Sequence, residues 1–142
     1  MAEYVFKVNG ITRSTTEDKP LLRYLRDDLH LKSVKDGCSE GACGTCTVLL
    51  NSKPIVSCEY LSVRADGAEI VTVEGLGSEA DKIVECLTRY GGEGCGYCAP
   101  GFVVLAYALK RELKNPTYDE VKAYLDGNLC RCTGSVSYTH LR

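Results

Sequence analysis

The residues of this chain best equipped for chemistry are its nine cysteines, eight of which fall into two groups of four. The first group runs Cys38-x4-Cys43-x2-Cys46, with Cys58 following after eleven residues. The second is Cys95-x2-Cys98 and, 31 residues later, Cys130-x-Cys132. Thiolates ligate metals, exchange disulfides or attack as nucleophiles, and spacing helps to decide among these. A three-cysteine loop with a distant fourth cysteine is the plant-type pattern for a [2Fe–2S] cluster. Each iron takes tetrahedral thiolate ligation, and the loop must wrap the cluster with its N–H groups turned toward sulfur. Gly37, Gly41, Ala42 and Gly44 suit that wrapping, because small residues allow close backbone approach and glycine reaches positive φ. A zinc site with four cysteines more often pairs its ligands as two short-spaced knuckles, which fits this Gly-rich loop less well.

Taken alone, the second group is less specific. Its C-x-x-C could be a thioredoxin-like redox pair, but that motif needs a βαβ setting and the expected neighbours here are helices. The C-x-C is compatible with zinc as well as with iron. Two cysteine pairs at helix ends, joined by two helices folding back antiparallel, would bring four thiolates to one metal centre. Helix N-termini would favour the negative charge gathered there. A disulfide framework suits the set poorly, since an odd number of cysteines would strand one thiol.

Other candidates have plainer readings. Gly75-x-Gly77-x-x-Ala80 formally matches a dinucleotide fingerprint, yet no strand is expected at βαβ distance and Cys95 stands where an acid is needed. It reads as a Gly-rich joint and helix cap. Cys86, beside Ile83, Val84 and Leu87, reads as a small buried hydrophobe rather than a ligand. His30 and His140 belong to no spaced pair, and the eight cysteines already suffice. Tyr97 reads as shielding for a cluster rather than an electron conduit. Asp119, Glu120 and Lys122 read as a solvated helix face.

The elements that must position these thiols divide the chain into two parts. Residues 1–74 read as mainly strand. Tyr4 to Val8 alternates, Asn9-Gly10 signals a hairpin turn, and Ile11 to Thr16 returns. Leu21, Leu22, Leu25 and Leu29 share one face of a short helix that Pro20 can open. Thr47 to Leu50 and Ile55 to Ser57 flank a turn over Asn51-Ser52-Lys53-Pro54, and Glu69 to Val73 is a further strand. Residues 75–134 read as helical, with Glu74-Gly75-Leu76-Gly77 as the joint. Ser78 can cap a helix to about Tyr90, and Pro100 opens one to about Leu113. Thr117 with Glu120 forms a capping box for a third, ending near Gly127. Parts this small have small cores, and bound metal would staple them.

Composition excludes some functions. At 142 residues, with 44% hydrophobic and 25% charged residues, the chain has the make-up of a soluble globular protein. A net charge of −2 with interspersed signs gives no electrostatic footprint for nucleic acid. The longest apolar run, Gly101 to Leu109, is too short to span a bilayer, and no membrane partner is expected. The acidic start, Met1-Ala2-Glu3-Tyr4, lacks the pattern of a signal peptide, which points to a cytoplasmic protein.

The segment Asp36-Gly37-Cys38-Ser39-Glu40-Gly41-Ala42-Cys43-Gly44-Thr45-Cys46-Thr47-Val48 resembles the first cluster motif of the xanthine dehydrogenase family of molybdenum hydroxylases. Cys95-Gly96-Tyr97-Cys98-Ala99-Pro100-Gly101 and Gly127-Asn128-Leu129-Cys130-Arg131-Cys132-Thr133-Gly134 resemble its second. The similarity runs from about Val5 to Gly134 in the family's order. It implies an α+β fold: an N-terminal β-grasp, plant-type ferredoxin-like domain followed by a C-terminal four-helix bundle domain. Each would hold one [2Fe–2S] cluster, on Cys38, Cys43, Cys46 and Cys58 and on Cys95, Cys98, Cys130 and Cys132. The resemblance further implies electron relay from a molybdopterin-bound molybdenum centre to FAD or an external acceptor, both on partner subunits or domains. The second cluster would lie nearer the molybdopterin, with Cys132 touching the pterin. Gly94 stands where the family carries a Gln that hydrogen-bonds the pterin, and glycine has no side chain to do so. After Gly134 the family's Tyr-Arg-Pro is replaced by Ser135 to Arg142, which reads as a tail of foreign origin.

No nucleophile–base set appears, so substrate chemistry is expected on a partner's cofactor rather than on this chain. The rival readings are a standalone two-cluster ferredoxin and a structural zinc-binding interaction module.

Overall fold

The computed structural model describes residues 2–132. The proposed foreign tail and His140 lie outside the described residues. Strands β1 (Tyr4–Val8) and β2 (Ile11–Thr15) form an antiparallel hairpin. Both turn residues have positive φ, Asn9 at 51° and Gly10 at 81°, as a two-residue turn matched to strand twist requires. Alternation in β1 buries Phe6 and Val8, whereas β2 is an edge strand that buries only Thr15.

Strands β3 (Thr47–Leu50) and β4 (Lys53–Val56) make a second hairpin, and β5 (Glu69–Val71) completes a five-stranded sheet. The order is β2-β1-β5-β3-β4, with β1 and β5 parallel and the other pairs antiparallel. The second hairpin is tighter than expected. Its turn is Asn51-Ser52 alone, at φ 49° and 69°, while Lys53 and Pro54 belong to β4. Proline is tolerated because β4 is an edge and the Leu49–Pro54 pair next to the closing Leu50–Lys53 pair exchanges no ladder bonds. Strand β5 also stops early, since Val73–Leu76 turns into a 3-10 helix.

After Pro20, one helical turn, α1 (Leu21–Arg23), widens into a π turn over Tyr24–Asp28. The expected leucine face is there: Leu21, Leu22 and Leu25 are buried and Leu29 packs beside them. They cover the sheet at Phe6, Val48 and Ile70, with the Tyr24 ring set edge-on to Phe6 at 5.3 Å. Each such leucine contributes roughly 1.5–3 kcal/mol by leaving water. Arg26 then donates to the carbonyls of Lys32 and Val34 at 3.1 and 2.7 Å, tethering the chain that enters the first cysteine loop.

The second part holds helices α2 (Ser78–Arg89), α3 (Ala99–Glu112) and α4 (Tyr118–Leu125), three among the described residues where the resemblance implies four. The capping box of α4 is formed as expected, Thr117 accepting from the Glu120 N–H at 3.3 Å and the Glu120 carboxylate accepting from the Thr117 N–H at 2.7 Å. Asp119, Glu120 and Lys122 are exposed, as read from the sequence. Pro100 sits in the first turn of α3, where no N–H is needed. Ser78 does not cap α2. Gly77, at φ 60°, is the N-cap and Ser78 is the first helical residue. Cys86 is a second correction: it is exposed, because the inward stripe of α2 is Ala80, Ile83 and Leu87. No strand follows α2 among the described residues, so the Gly75–Gly77 segment remains a joint.

The two parts share packing. Helix α3 lies on β3, with Val104 and Ala108 against Leu49. A separate cluster of Leu87, Phe102 and Leu125 ties the three helices together and includes Cys98 and Cys130 at its edge. Among the described residues no helix is long and apolar enough to cross a membrane.

Candidate metal centres

The loop from Asp36 to Cys46 has almost no regular structure, so its backbone groups are free to turn inward. They turn to sulfur. The N–H groups of Glu40, Ala42 and Cys43 point at Cys38 Sγ at 3.4, 3.3 and 3.4 Å, and the Gly41 N–H points at Cys58 Sγ at 3.2 Å. Thr45 Oγ1 lies 3.1 Å from Cys43 Sγ. Close approach requires glycine at Gly37, where a Cβ would sit 2.8 Å from Cys43 Sγ and from Thr45 Oγ1. Cys46 is anchored in the sheet core, and Cys58 arrives from the end of β4, where Ser57 donates to the Cys46 carbonyl at 2.7 Å.

These surroundings split the thiols. The Glu40 N–H, helped by those of Cys43 and Ala42 against some burial, draws the Cys38 thiol down to about 7. Burial, and then the hydrogen bond with the Cys46 thiol, pushes Cys58 up to about 12. Cys38 also bonds the Cys43 thiol, so the four form two neighbouring pairs, Cys38 with Cys43 and Cys46 with Cys58.

In the second group Cys98 is the N-cap of α3, and Cys130 and Cys132 follow α4. Folding α3 against α4 brings the arms together: Cys95 hydrogen-bonds Cys132 and feels the charge of Cys130. The Tyr97 N–H, then Cys132, lowers the Cys95 thiol from its ordinary value. Cys95 and Cys132 are exposed while Cys98 and Cys130 are half-buried. Gly94 is packed on this group, since a Cβ there would lie 2.6 Å from Cys132 Cβ. His30 is exposed at the end of the first helical segment.

The donor chemistry fits thiolate-held iron clusters. Each group offers sulfur alone, partly buried, with N–H groups aimed at it in both cases. Among the described residues no three His, Cys, Asp or Glu side chains converge on a single-ion site. None of the nine cysteines is in a disulfide.

A seam between the groups was not expected from the sequence. The Leu129 N–H donates to the Cys43 carbonyl at 2.8 Å, and the buried Asn128 donates through Nδ2 to the Gly44 carbonyl at 3.4 Å. Gly44, at φ 74°, comes so close to Gly127 that a Cβ would meet its carbonyl oxygen at 2.4 Å. Tyr97 reaches across as well, its hydroxyl donating to the Asp36 carbonyl at 2.6 Å. The sequence signal that could have drawn attention to this seam is the position of these residues beside the clustered cysteines.

Comparison with known proteins agrees with this chemistry. Residues 6–74 match the family described as 2Fe-2S iron-sulfur cluster binding domain, and residues 72–140 match the [2Fe-2S] binding domain. The small FeS subunit of nicotinate dehydrogenase from Eubacterium barkeri is 43% identical, the match covering 91% of this chain and 85% of the relative. Xanthine dehydrogenase of Drosophila pseudoobscura pseudoobscura is 39% identical over 94% of this chain but only 11% of its own length. In structure, the aldehyde oxidoreductase of Desulfovibrio desulfuricans superposes with a TM-score of 0.88 at 35% identity, covering 99% of this chain and 16% of that one. The chain thus spans most of the small FeS subunit and about a tenth of the xanthine dehydrogenase. It belongs to the xanthine dehydrogenase family of molybdenum hydroxylases, as an electron-transfer component with two [2Fe–2S] clusters.

Proposed function

We propose that Cys38, Cys43, Cys46 and Cys58 hold one cluster and Cys95, Cys98, Cys130 and Cys132 the other. The chain then relays electrons from a molybdopterin centre on a partner to FAD or an external acceptor. The observation that carries this reading is the convergence of four backbone N–H groups on Cys38 and Cys58. When bound, each cluster takes up and passes on one electron. The chain's part is to hold the ligands still, and to stabilise added negative charge with N–H dipoles already in place. The partners supply substrate binding and substrate chemistry.

Several finer points belong to the same proposal. The sheet order and the parallel pairing of β1 with β5 support a β-grasp, ferredoxin-like domain over residues 1–74. Helices α2, α3 and α4, with the turn Val73–Leu76 packed on α3 at the joint, support a helical domain of the four-helix-bundle type over residues 75–134. The exposed edge at Cys132 and Gly94 faces the molybdopterin partner, and a second partner carries FAD. Free thiols throughout suit a cytoplasmic location.

Metal and sulfide analysis tests the reading. The purified chain should be red-brown and carry about four irons and four sulfides, as two [2Fe–2S] centres require. Colourless protein with zinc in both groups would overturn it.

A further inference from the structure

We infer that Tyr97 is a positioning residue, a latch that fixes the distance between the two cysteine groups and so between the clusters they hold. This rests on the two-cluster reading above. Tyr97 lies between Cys95 and Cys98, yet its side chain leaves its own group. Its hydroxyl donates to the Asp36 carbonyl at 2.6 Å, and the Lys35 ammonium stands 5.9 Å from its ring centroid, within cation–π range.

The strand of chain it grips is itself fixed. The Asp36 carboxylate accepts from the Ser39 hydroxyl at 2.7 and 2.6 Å and pairs with Arg23 at 3.6 Å. Thr45 Oγ1 donates to the Lys35 carbonyl at 3.2 Å. Tyr97 therefore pulls on a point tied both to α1 and to the first cysteine loop, two residues ahead of Cys38.

The Cys95–Cys98 arm has need of such a tie. It is a short loop with Gly96 at φ 79° and Cys95 exposed. The other arm of the second group is stitched to the first loop by the Leu129–Cys43 backbone bond. Between the arms and the first loop lies a cleft of about 590 Å³, lined by Cys43, Thr45, Cys95, Cys98 and Cys130 and bordered by Tyr97. Helix α3 packs closely on the first loop at Gly101, where a Cβ would meet the Gly44 carbonyl oxygen at 2.7 Å, and Tyr97 extends that contact to the Cys95–Cys98 loop ahead of the helix. Tyr97 is 44% exposed, so shielding from water alone would make poor use of its ring and none of its hydroxyl.

The separation matters because electron tunnelling and magnetic coupling between two centres both fall steeply with distance. The test compares Tyr97→Phe and Tyr97→Ala with the unchanged chain, all loaded with clusters. Iron and sulfide are counted first, and the fully reduced proteins are then examined by electron paramagnetic resonance for splitting between the two centres. The latch predicts full iron in every protein, with the splitting shifted and broadened in Tyr97→Phe and at least as much so in Tyr97→Ala. Unchanged splitting in Tyr97→Phe overturns the latch, whether Tyr97→Ala is altered (the ring acts as a shield) or not. Iron lost from Tyr97→Phe also overturns it, by making the hydroxyl a requirement for assembly instead. Failure of the unchanged chain to hold two clusters sinks the underlying two-cluster reading.

Discussion

Cys46 lies in the core of the sheet half, 2% exposed, whereas Cys95 and Cys132 of the second group stand at the surface. The first loop supplies its own N–H donors from Glu40, Gly41, Ala42 and Cys43. The second group gathers its thiols from two arms that meet only because α3 and α4 pack together. One site is thus built by a loop on the sheet that carries its own N–H donors. The other is built by helix packing and left open on one side, as a docking edge would be. Local construction protects the first site from changes elsewhere, while the second depends on every contact that holds its arms.

The largest expected difference comes from the proposed ligands. Cys46→Ser should remove the first cluster, about half of the iron, and also lower the melting temperature, because it places a hydroxyl in the sheet core. Cys95→Ser should remove a similar share of iron, with a smaller thermal effect since Cys95 is exposed. Equal melting shifts in the two variants would erase the distinction between a buried and an open site.

Gly44→Ala should come next. Its φ of 74° and the Gly127 carbonyl oxygen in the path of the new Cβ combine strain with a clash against backbone. A loss of roughly 1–3 kcal/mol is expected in denaturant unfolding. Gly67→Ala, at φ 73° but with open space, should cost less and serves as the control for strain alone. Similar losses would mean the seam contributes nothing.

Gly94→Ala should spare the first cluster and weaken the second, because the new Cβ crowds Cys132 at 2.6 Å. Absorbance should show about half of the iron leaving faster under a chelator. Uniform loss of both clusters would contradict the separate construction of the two sites.

A subtler test uses the cluster-free chain. At pH 8 a thiol brought down to about 7 is mostly thiolate, while one pushed up to about 12 is neutral. Iodoacetamide followed by peptide mass analysis should therefore label Cys38 well before Cys58. The sign for stability also follows. Folding keeps Cys58 protonated, so its contribution is full below its ordinary value of 9.0 and falls as pH rises from there toward 12. The smallest effect is expected at Cys86, where Cys86→Ala on the exposed side of α2 should change stability by less than about 0.5 kcal/mol and leave both clusters intact.

Much of this was legible in advance, and for local reasons. The first hairpin was readable at Asn9-Gly10 because positive φ at both positions is a demand on residue type. The α4 capping box was readable because its partners are three residues apart. Misreadings came where a larger frame overrode local preference. Pro54 suits a turn by residue type, and its place in a strand depends on β4 being an edge. Cys86 was placed inward with Ile83, Val84 and Leu87, but only the packing of α2 on α3 selects which stripe is buried.

By itself the sequence determined the chemistry of this protein: two sets of four thiols, the glycines that let one loop wrap, and the helices and strands that carry them. Ligand spacing and backbone freedom are short-range properties, so they are written in neighbouring residues. Only the tertiary structure decided how the two sets stand toward each other. Tyr97 meets Asp36 across 61 residues and Asn128 meets Gly44 across 84, contacts that exist only once α3 lies on the sheet. Nothing in the local sequence of either partner specifies the other, because the distance between them is set by the packing of everything in between.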